Sequence, residues 1–382
     1  MIYFDHASAT PVDPEVLEVM LPFFSEHYAN PSSLHLAGQK SRAAVDKARM
    51  KIAEYLGVQP TEVYFCASGT ESCNWALVGV MEPLLLRGQQ AHLIVSEIEH
   101  SAVLGAAKFL EESYATPVTY LPVDKNGRVS PEDLRNALRP DTALVSIMTV
   151  NNEIGTVQPI RELSDICKEN GVLMHTDACQ AIGFIPLDIQ ELGVDLLTIN
   201  ASKIYGPKGI GALYVRESIS ISSWTKGGPQ EFKKRAGTEN VSAIVGFEKA
   251  VELANRHYKD LNIYVTELRD TMWKRLQESI SEIVLNGEME HRAPNNLNIW
   301  IKGVDGETLV KRMDLAGFAF STGSACTSGE VTPSHVLMGI GRDIDAAKSS
   351  IRITLGKGNN AKEVQQFIET LTKVVDELRK AG

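Results

Sequence analysis

The sequence predicts an α/β fold in which a mainly parallel sheet is flanked by helices. Between residues 63 and 216, short apolar runs alternate with segments of helical periodicity, as in strands joined by helical crossovers. A helix is predicted over residues 36–56, and Gly57 then supplies the left-handed residue that commonly follows a helix. The 382 residues are 43% hydrophobic, which is enough to bury a large core.

The pattern also predicts two domains. The large domain covers residues 15–258, and a smaller α/β domain combines residues 259–382 with residues 1–14. A long helical stretch runs from Gly246 to about Ser279, and short strands follow at residues 283–285 and 297–301. The last helix is expected to pack through an apolar stripe of Val364, Phe367, Ile368, Leu371, Val375 and Leu378.

Composition and charge argue against several classes of protein. A formal net charge of −10 disfavours nonspecific nucleic-acid binding, which depends on neutralising phosphates. The first residues lack a basic region and a cleavable apolar segment, and no apolar run reaches the roughly 20 residues that span a bilayer. We therefore expect a cytoplasmic protein with no membrane partner and no direct nucleic-acid partner. The five cysteines include no CxxC pair, so we expect neither a disulfide framework nor a metal site.

Polar or titratable groups follow five of the predicted strands. Ligands bind just beyond the carboxyl ends of parallel strands, where the loops converge, so these groups are expected to share one site. In chain order they are Ser68-Gly69-Thr70, Glu99-His100, Asn151-Asn152-Glu153, Asp177 and Lys203.

An amine beside a carboxylate, an amide, an imidazole and a phosphate loop is what pyridoxal 5'-phosphate chemistry requires. Lys203 would bond to the cofactor, and Asp177 would keep the pyridine nitrogen protonated. The loop at residues 68–71 precedes a helix predicted to begin near Ser72, so its backbone N–H groups and the helix dipole can hold a phosphate. His100 could stack on the ring and relay protons, and Gln180 could donate to the ring hydroxyl oxygen.

Each of these residues also has a simpler structural interpretation. A lysine at a strand end can be a surface charge, an aspartate or a Ser-Gly-Thr loop can cap a helix, a histidine can belong to the core, and an asparagine can form a turn. Lys208 is a rival amine, but it is predicted to lie in a turn beyond the strand. A buried lysine has a lowered pKa, which favours Lys203 as the reactive amine.

Two further residues in the last quarter of the chain could carry chemistry. Cys326 lies in a run of small residues, 321–329, that reads as an exposed loop, where a thiol can ionise and be reached. Arg352 lies inside an apolar, strand-like run and is expected to meet a carboxylate in a bidentate pair. That carboxylate could belong to an amino-acid substrate or to an acidic residue of the protein.

The ordered set of motifs resembles the cysteine desulfurases of the NifS/IscS type, within the class V aminotransferase group of fold-type I pyridoxal phosphate enzymes. The resemblance covers nearly the whole chain. It rests on Phe4 to Pro11, Asn30-Pro31-Ser32-Ser33, Gly69-Thr70-Glu71-Ser72, Glu99-His100, Val150 to Gly155, Asp177 with Gln180, Lys203, Tyr205 to Gly209, Arg235 to Asn240, Gly323 to Cys326 and Ser350-Ile351-Arg352.

The resemblance implies that L-cysteine is converted to L-alanine and that its sulfur is held as a persulfide on Cys326. The sulfur would pass to an iron–sulfur scaffold or a thiolation protein. The implied site comprises Lys203 holding the cofactor, Asp177 at the pyridinium, Gln180 and Asn152 at the ring hydroxyl, His100 stacked on the ring, Gly69 and Thr70 at the phosphate, and Arg352 with Asn152 at the substrate. The threonine that matches Thr238 reaches the phosphate in the partner subunit, which implies a homodimer.

Two positions depart from the family pattern. The family usually has a serine three residues before the lysine and a histidine immediately before it, both at the phosphate; here they are Asn200 and Ser202. Both can donate hydrogen bonds, but a possible positive charge is lost, which predicts weaker cofactor binding. Two alternatives follow: a selenocysteine lyase or other beta-lyase that releases its product without Cys326, and a catalytically weak, cofactor-binding scaffold protein.

Overall fold

A computed structural model describes residues 1–322 and 333–381 of the chain. In this part of the chain the helices are α1 Pro14–Met20, α2 Pro22–Ser25, α3 Leu36–Leu56, α4 Gly69–Leu86, α5 Ser101–Tyr114, α6 Pro131–Ala137, α7 Ile160–Glu169, α8 Ile189–Leu192, α9 Gln230–Lys233, α10 Val241–Ser279, α11 Gly306–Leu315, α12 His335–Gly339, α13 Ile344–Lys348 and α14 Ala361–Ala381. The strands are β1 Ile2–Tyr3, β2 Val63–Cys66, β3 His92–Ser96, β4 Val118–Leu121, β5 Thr142–Ser146, β6 Leu173–Asp177, β7 Leu196–Asn200, β8 Gly211–Val215, β9 Ile283–Leu285, β10 Asn296–Ile301, β11 Phe318–Ala319, β12 Ser321–Thr322 and β13 Ser350–Thr354.

The largest sheet has seven strands in the order β2-β8-β7-β6-β5-β3-β4. Strands β4, β3, β5, β6 and β7 run parallel to one another, and β8 pairs antiparallel with both β7 and β2. Separate apolar clusters pack around this sheet, one with helices α3 and α10 and the other with α4 and α5. The predicted α/β class with a mainly parallel sheet is confirmed.

A second, four-stranded antiparallel sheet has the order β12-β13-β10-β9. It shares a core with α11 and α14, in which Phe4 from the chain start packs edge-on against Phe367 with ring centroids 5.1 Å apart. The predicted stripe on α14 is confirmed, because its members are buried in this core, with Leu378 partly buried beside them.

Local sequence signals explain where several helices begin and end. Asp13 caps α1 by accepting from the Glu15 N–H at 2.8 Å, and Gly57, whose φ of 69° is left-handed, is the C-cap directly after α3. Helix α10 begins at Val241, earlier than predicted, because Asn240 caps it by accepting from Ala243 N at 3.2 Å.

The division into residues 15–258 and 259–382 stays a prediction, and its boundary falls within the continuous helix α10. Among the described residues, none of the helices combines the length and apolarity needed to cross a bilayer. The described part of the chain also contains no group of three or more His, Cys, Asp or Glu side chains arranged to hold a metal ion.

Candidate active site

A cavity of about 320 Å³ opens where the carboxyl ends of the parallel strands converge. Its walls come from segments that follow β2, β3, β5, β6 and β7, together with the chain start and β13. The lining residues are Ala7, Ser8, Ser68, Gly69, Thr70, His100, Met148, Val150, Asn152, Asp177, Cys179, Gln180, Asn200, Lys203 and Arg352. The structure therefore brings together most of the predicted site residues.

Lys203 and Asp177 project into this cavity from neighbouring strands. Asp177 is the last residue of β6, and Lys203 ends a short 3-10 turn that follows β7. The Lys203 ammonium donates to the Ser8 carbonyl oxygen. Burial lowers the pKa of Lys203 below its usual range, which increases the neutral fraction that can attack a carbonyl.

The Asp177 carboxylate accepts two hydrogen bonds. Its Oδ1 accepts from Cys179 N at 2.9 Å, and its Oδ2 accepts from the Cys73 thiol at 3.5 Å. Burial raises the pKa of the Cys73 and Cys179 thiols well above the usual range, with the Asp177 charge as the next cause, so both thiols are neutral and poor nucleophiles. The carboxylate is thus oriented while it still faces the cavity.

His100 stands at the start of α5 and lines the cavity. Its Nδ1 accepts from Ala102 N at 3.1 Å, so the neutral ring carries its hydrogen on Nε2. Burial lowers the pKa of His100 below its usual range. A neutral imidazole whose orientation is fixed by the helix start can stack on an aromatic ring and exchange a proton.

The phosphate loop differs in one detail from the sequence prediction. Helix α4 begins at Gly69 rather than near Ser72, and Ser68 is its N-cap, accepting from Glu71 N at 3.1 Å. The first turn of a long helix, where the initial backbone N–H groups lack intrahelical partners, therefore lines the cavity through Gly69 and Thr70. A Cβ on Gly69 would lie 2.6 Å from Cys179 Sγ, so a larger residue here would force Cys179 to move.

Arg352 is buried in the middle of β13, and its guanidinium reaches the cavity. It donates to Asp5 Oδ1 at 2.9 Å, to Ser8 Oγ at 2.8 Å and to the Asn152 carbonyl oxygen at 2.9 Å. Of the two predicted carboxylate partners, the structure contains the acidic residue of the protein, but the predicted bidentate geometry is wrong, because only Nη2 and Oδ1 pair. The arginine nevertheless lines the cavity, where a second carboxylate can reach it.

Two predicted site residues within the described ranges, Ser202 and Thr238, do not line the cavity. Ser202 turns its carbonyl oxygen towards Thr10 Oγ1 at 3.0 Å, and Thr238 is exposed in the segment between α9 and α10. Cys326 lies outside the described residues. Lys208, the rival amine, is exposed in the turn before β8.

The chain start was missed as part of the site. Ala7 and Ser8 form one wall, the Ala7 carbonyl oxygen accepts from Gln180 Nε2 at 2.9 Å, and Asp5 pairs with Arg352. The strand-like pairing of Asp5 with Thr354 fixes this segment in place. The only sequence signal was the motif at residues 4–11, which carried the resemblance without indicating a contact.

The cavity fits pyridoxal 5'-phosphate. Among the described residues, buried polar atoms without a hydrogen-bond partner include Asn152 Oδ1, Asn200 Oδ1 and Arg352 Nε, all on side chains that line this cavity. Such groups are costly unless a ligand or water satisfies them. The cavity is lined by a carboxylate, a helix N-terminus and an amine, which are the partners that the ring nitrogen, the phosphate and the aldehyde of the cofactor require.

Comparisons with known proteins agree with this geometry. The family model described as aminotransferase class-V matches residues 2–367. The cysteine desulfurase IscS of Dictyoglomus turgidum is 47% identical over 378 residues, which are 99% of this chain and 95% of that protein. A solved NifS-like protein has a TM-score of 0.93 at 36% identity, covering 98% of this chain and 99% of that one. The structure of SspA in complex with cysteine has a TM-score of 0.83 at 36% identity, and the match covers 93% of this chain and 99% of that one.

The chain therefore belongs to the class V aminotransferase family. The resemblance to cysteine desulfurases of the NifS/IscS type is confirmed by the same relatives.

Proposed function

We propose that this protein is a pyridoxal 5'-phosphate-dependent cysteine desulfurase that converts L-cysteine to L-alanine. The observation that carries the proposal is the placement of Lys203 and Asp177 at the ends of neighbouring strands, in one cavity that the first turn of α4 also lines. Full-length similarity to a protein named cysteine desulfurase supports the choice of reaction.

The residues have distinct roles in this proposal. Lys203 would hold the cofactor, and its amine would remove the proton from the substrate α carbon. Asp177 holds a proton on the ring nitrogen, and the α4 N-terminus with Thr70 and Asn200 binds the phosphate. The bound cofactor supplies an electron sink. Gln180 and Asn152 bind the ring hydroxyl, and His100 packs against the ring.

Arg352 binds the substrate carboxylate. A guanidinium can satisfy two carboxylates with its five N–H donors, and its Nε has no partner in the described part of the chain. Asp5 then keeps the buried guanidinium oriented in the absence of substrate.

Cys326 completes the reaction as the sulfur acceptor. Its thiolate attacks the substrate sulfur, the carbon–sulfur bond breaks with its electrons remaining on the carbon, and that carbon takes up a proton. One cysteine and one thiol thus give one alanine and one persulfide. This role rests on the sequence, because Cys326 lies outside the described residues.

The persulfide sulfur passes to an acceptor protein, either an iron–sulfur scaffold or a thiolation enzyme, and the active unit is a homodimer. Thr238 is exposed and does not line the cavity of its own chain, which supports a role at the phosphate of a partner subunit. A cytoplasmic location stays a prediction.

The test is to incubate purified, cofactor-loaded protein with L-cysteine and to measure alanine and protein-bound persulfide in the parent and in Cys326→Ala. Cys167→Ala, at a buried cysteine that does not line the cavity, is the matched control. We expect both products from the parent and the control, and neither above background from Cys326→Ala. Full alanine formation by Cys326→Ala would indicate a beta-lyase, and background alanine from yellow parent protein would indicate a scaffold.

A further inference from the structure

Helix α12 contacts two loops of the active site without lining the cavity. One loop contains Glu99 and His100, and the other contains Asn152 and Glu153. His100 and Asn152 line the cavity, whereas their neighbours Glu99 and Glu153 contact the start of α12.

Two side chains at the start of α12 make these contacts. The Ser334 hydroxyl donates to Glu153 Oε2, and its oxygen accepts from Leu337 N at 3.1 Å, so Ser334 both caps the helix and binds the loop. His335 Nε2 lies 2.9 Å from the Glu99 carbonyl oxygen. A carbonyl oxygen only accepts, so this nitrogen carries the hydrogen.

An apolar cluster supports the polar contacts. It comprises Ile98, Ile154, Val336, Leu337, Ile340 and Ala347, and it is separate from the cores of the two sheets. Ile98 directly precedes Glu99, and Ile154 directly follows Glu153. Each loop is therefore fixed to α12 by one hydrogen bond and one buried isoleucine.

Two hydrogen bonds also join the two loops to each other. Met148 N donates to Glu99 Oε1 at 2.9 Å, and Asn151 Nδ2 donates to the Ile98 carbonyl oxygen at 2.9 Å. The Glu153 carbonyl oxygen also accepts from two side chains of β10, Asn296 Nδ2 and Asn298 Nδ2, each at 3.1 Å.

We propose that Ser334 and His335 are positioning residues, which hold the loops of His100 and Asn152 in register with the cofactor. The inference rests on the proposed function. Neither side chain lines the cavity. The two residues therefore act by fixing the backbone of the loops that carry His100 and Asn152. Small displacements of catalytic groups reduce turnover strongly, which makes the role measurable.

The test for His335 compares three variants of the cofactor-loaded protein. His335→Phe keeps an aromatic ring but removes the N–H donor, His335→Gln retains a side-chain N–H donor, and Met338→Ala changes an exposed position of the same helix. We expect His335→Phe to lower kcat about ten-fold with KM changed less than about two-fold. His335→Gln and Met338→Ala should stay within about two-fold of the parent.

Visible circular dichroism of the bound cofactor provides a readout that does not depend on turnover. It reports the asymmetric surroundings of the ring, so a shifted His100 should alter the band in His335→Phe and leave it unchanged in His335→Gln. For Ser334, we expect Ser334→Ala to alter the band and Ser334→Thr, which retains the hydroxyl, to restore it. Thermal unfolding of each variant shows whether the fold is retained.

The proposal is wrong if folded His335→Phe and Ser334→Ala match the parent in both kcat and the cofactor band, or if His335→Gln is as defective as His335→Phe. A parent that binds the cofactor but forms no alanine would refute the proposed function instead. In that case the dichroism comparison still decides whether α12 positions the loops.

Discussion

Arg352 Nη2 donates to Asp5 Oδ1 at 2.9 Å, although the two residues are 347 positions apart in the sequence. The arginine that is proposed to bind the substrate carboxylate is therefore already paired with a carboxylate of its own chain. Because a charged partner competes for the guanidinium, this pair should set the affinity for substrate.

Asp5→Asn should lower the KM for L-cysteine by about three- to ten-fold. Asparagine retains the oxygen that accepts from Arg352 but removes the competing negative charge, so kcat should change little. Steady-state alanine formation measures both constants. Asp46→Asn, which removes the same charge from an exposed pair with Arg42, serves as the control. A raised KM would show that Asp5 assists substrate binding.

Gly69→Ala should weaken binding of pyridoxal 5'-phosphate at least about ten-fold, because the added Cβ would overlap Cys179 Sγ at 2.6 Å beside the phosphate loop. The double variant Gly69→Ala, Cys179→Ala removes the obstructing sulfur and should recover much of the affinity. Fluorescence titration of cofactor-free protein measures the dissociation constant. Gly105→Ala, where nothing lies within 4 Å of the added Cβ, should bind like the parent.

The stability of the protein should depend on pH through Glu99. Burial raises the pKa of this carboxyl to about 8, from an ordinary value of 4.5. Between these values the folded state retains a proton that the unfolded chain has lost, so the free energy of unfolding decreases as pH rises. One such group contributes up to about 1.4 kcal/mol per pH unit. The contribution is fully present below the unfolded pKa and is lost as pH rises through the folded one.

Glu99→Gln removes this titration and retains an oxygen for Ser96 and Met148. We therefore expect its melting temperature to rise relative to that of the parent between pH 5 and pH 8, as measured by thermal unfolding at several pH values. Glu112→Gln, at an exposed residue paired with Lys108, should give a curve parallel to the parent curve. Parallel curves for Glu99→Gln would contradict the assignment.

Thr238→Ala should weaken cofactor binding although Thr238 does not line the cavity of its own chain. In a homodimer, the lost hydroxyl belongs to the site of the partner subunit. Mixed dimers of Thr238→Ala and Lys203→Ala chains provide the measurement: one of the two sites carries both defects, and the other carries neither. Activity in the mixed dimer near half that of the parent supports the arrangement. No activity above the Thr238→Ala homodimer would contradict it.

Much of the fold could be predicted from local signals. Gly57 and the Asp13-Pro14 pair mark helix ends through backbone conformation and capping, which depend on neighbouring residues. The cluster at the strand ends was predictable because parallel strands place their carboxyl ends on one edge of the sheet. Asp177 and Lys203 lie where that rule predicts.

Other features depend on contacts that no local pattern encodes. The apolar run from residue 143 to 150 predicts one strand, but β5 ends at Ser146, and Val150 instead pairs with Val157 in a buried turn. Burial, rather than strand formation, accounts for the apolar residues beyond Ser146. The pairing of Asp5 with Arg352 likewise follows only from the chain start lying beside β13.

The attachment of the cofactor to Lys203 is the central claim, and reductive trapping tests it most directly. The protein is loaded with pyridoxal 5'-phosphate, treated with borohydride to make the linkage permanent, digested and analysed by mass spectrometry. The account predicts that the added mass lies on Lys203 and disappears in Lys203→Arg. Added mass on Lys208 in the parent, or none on any lysine, would contradict the account.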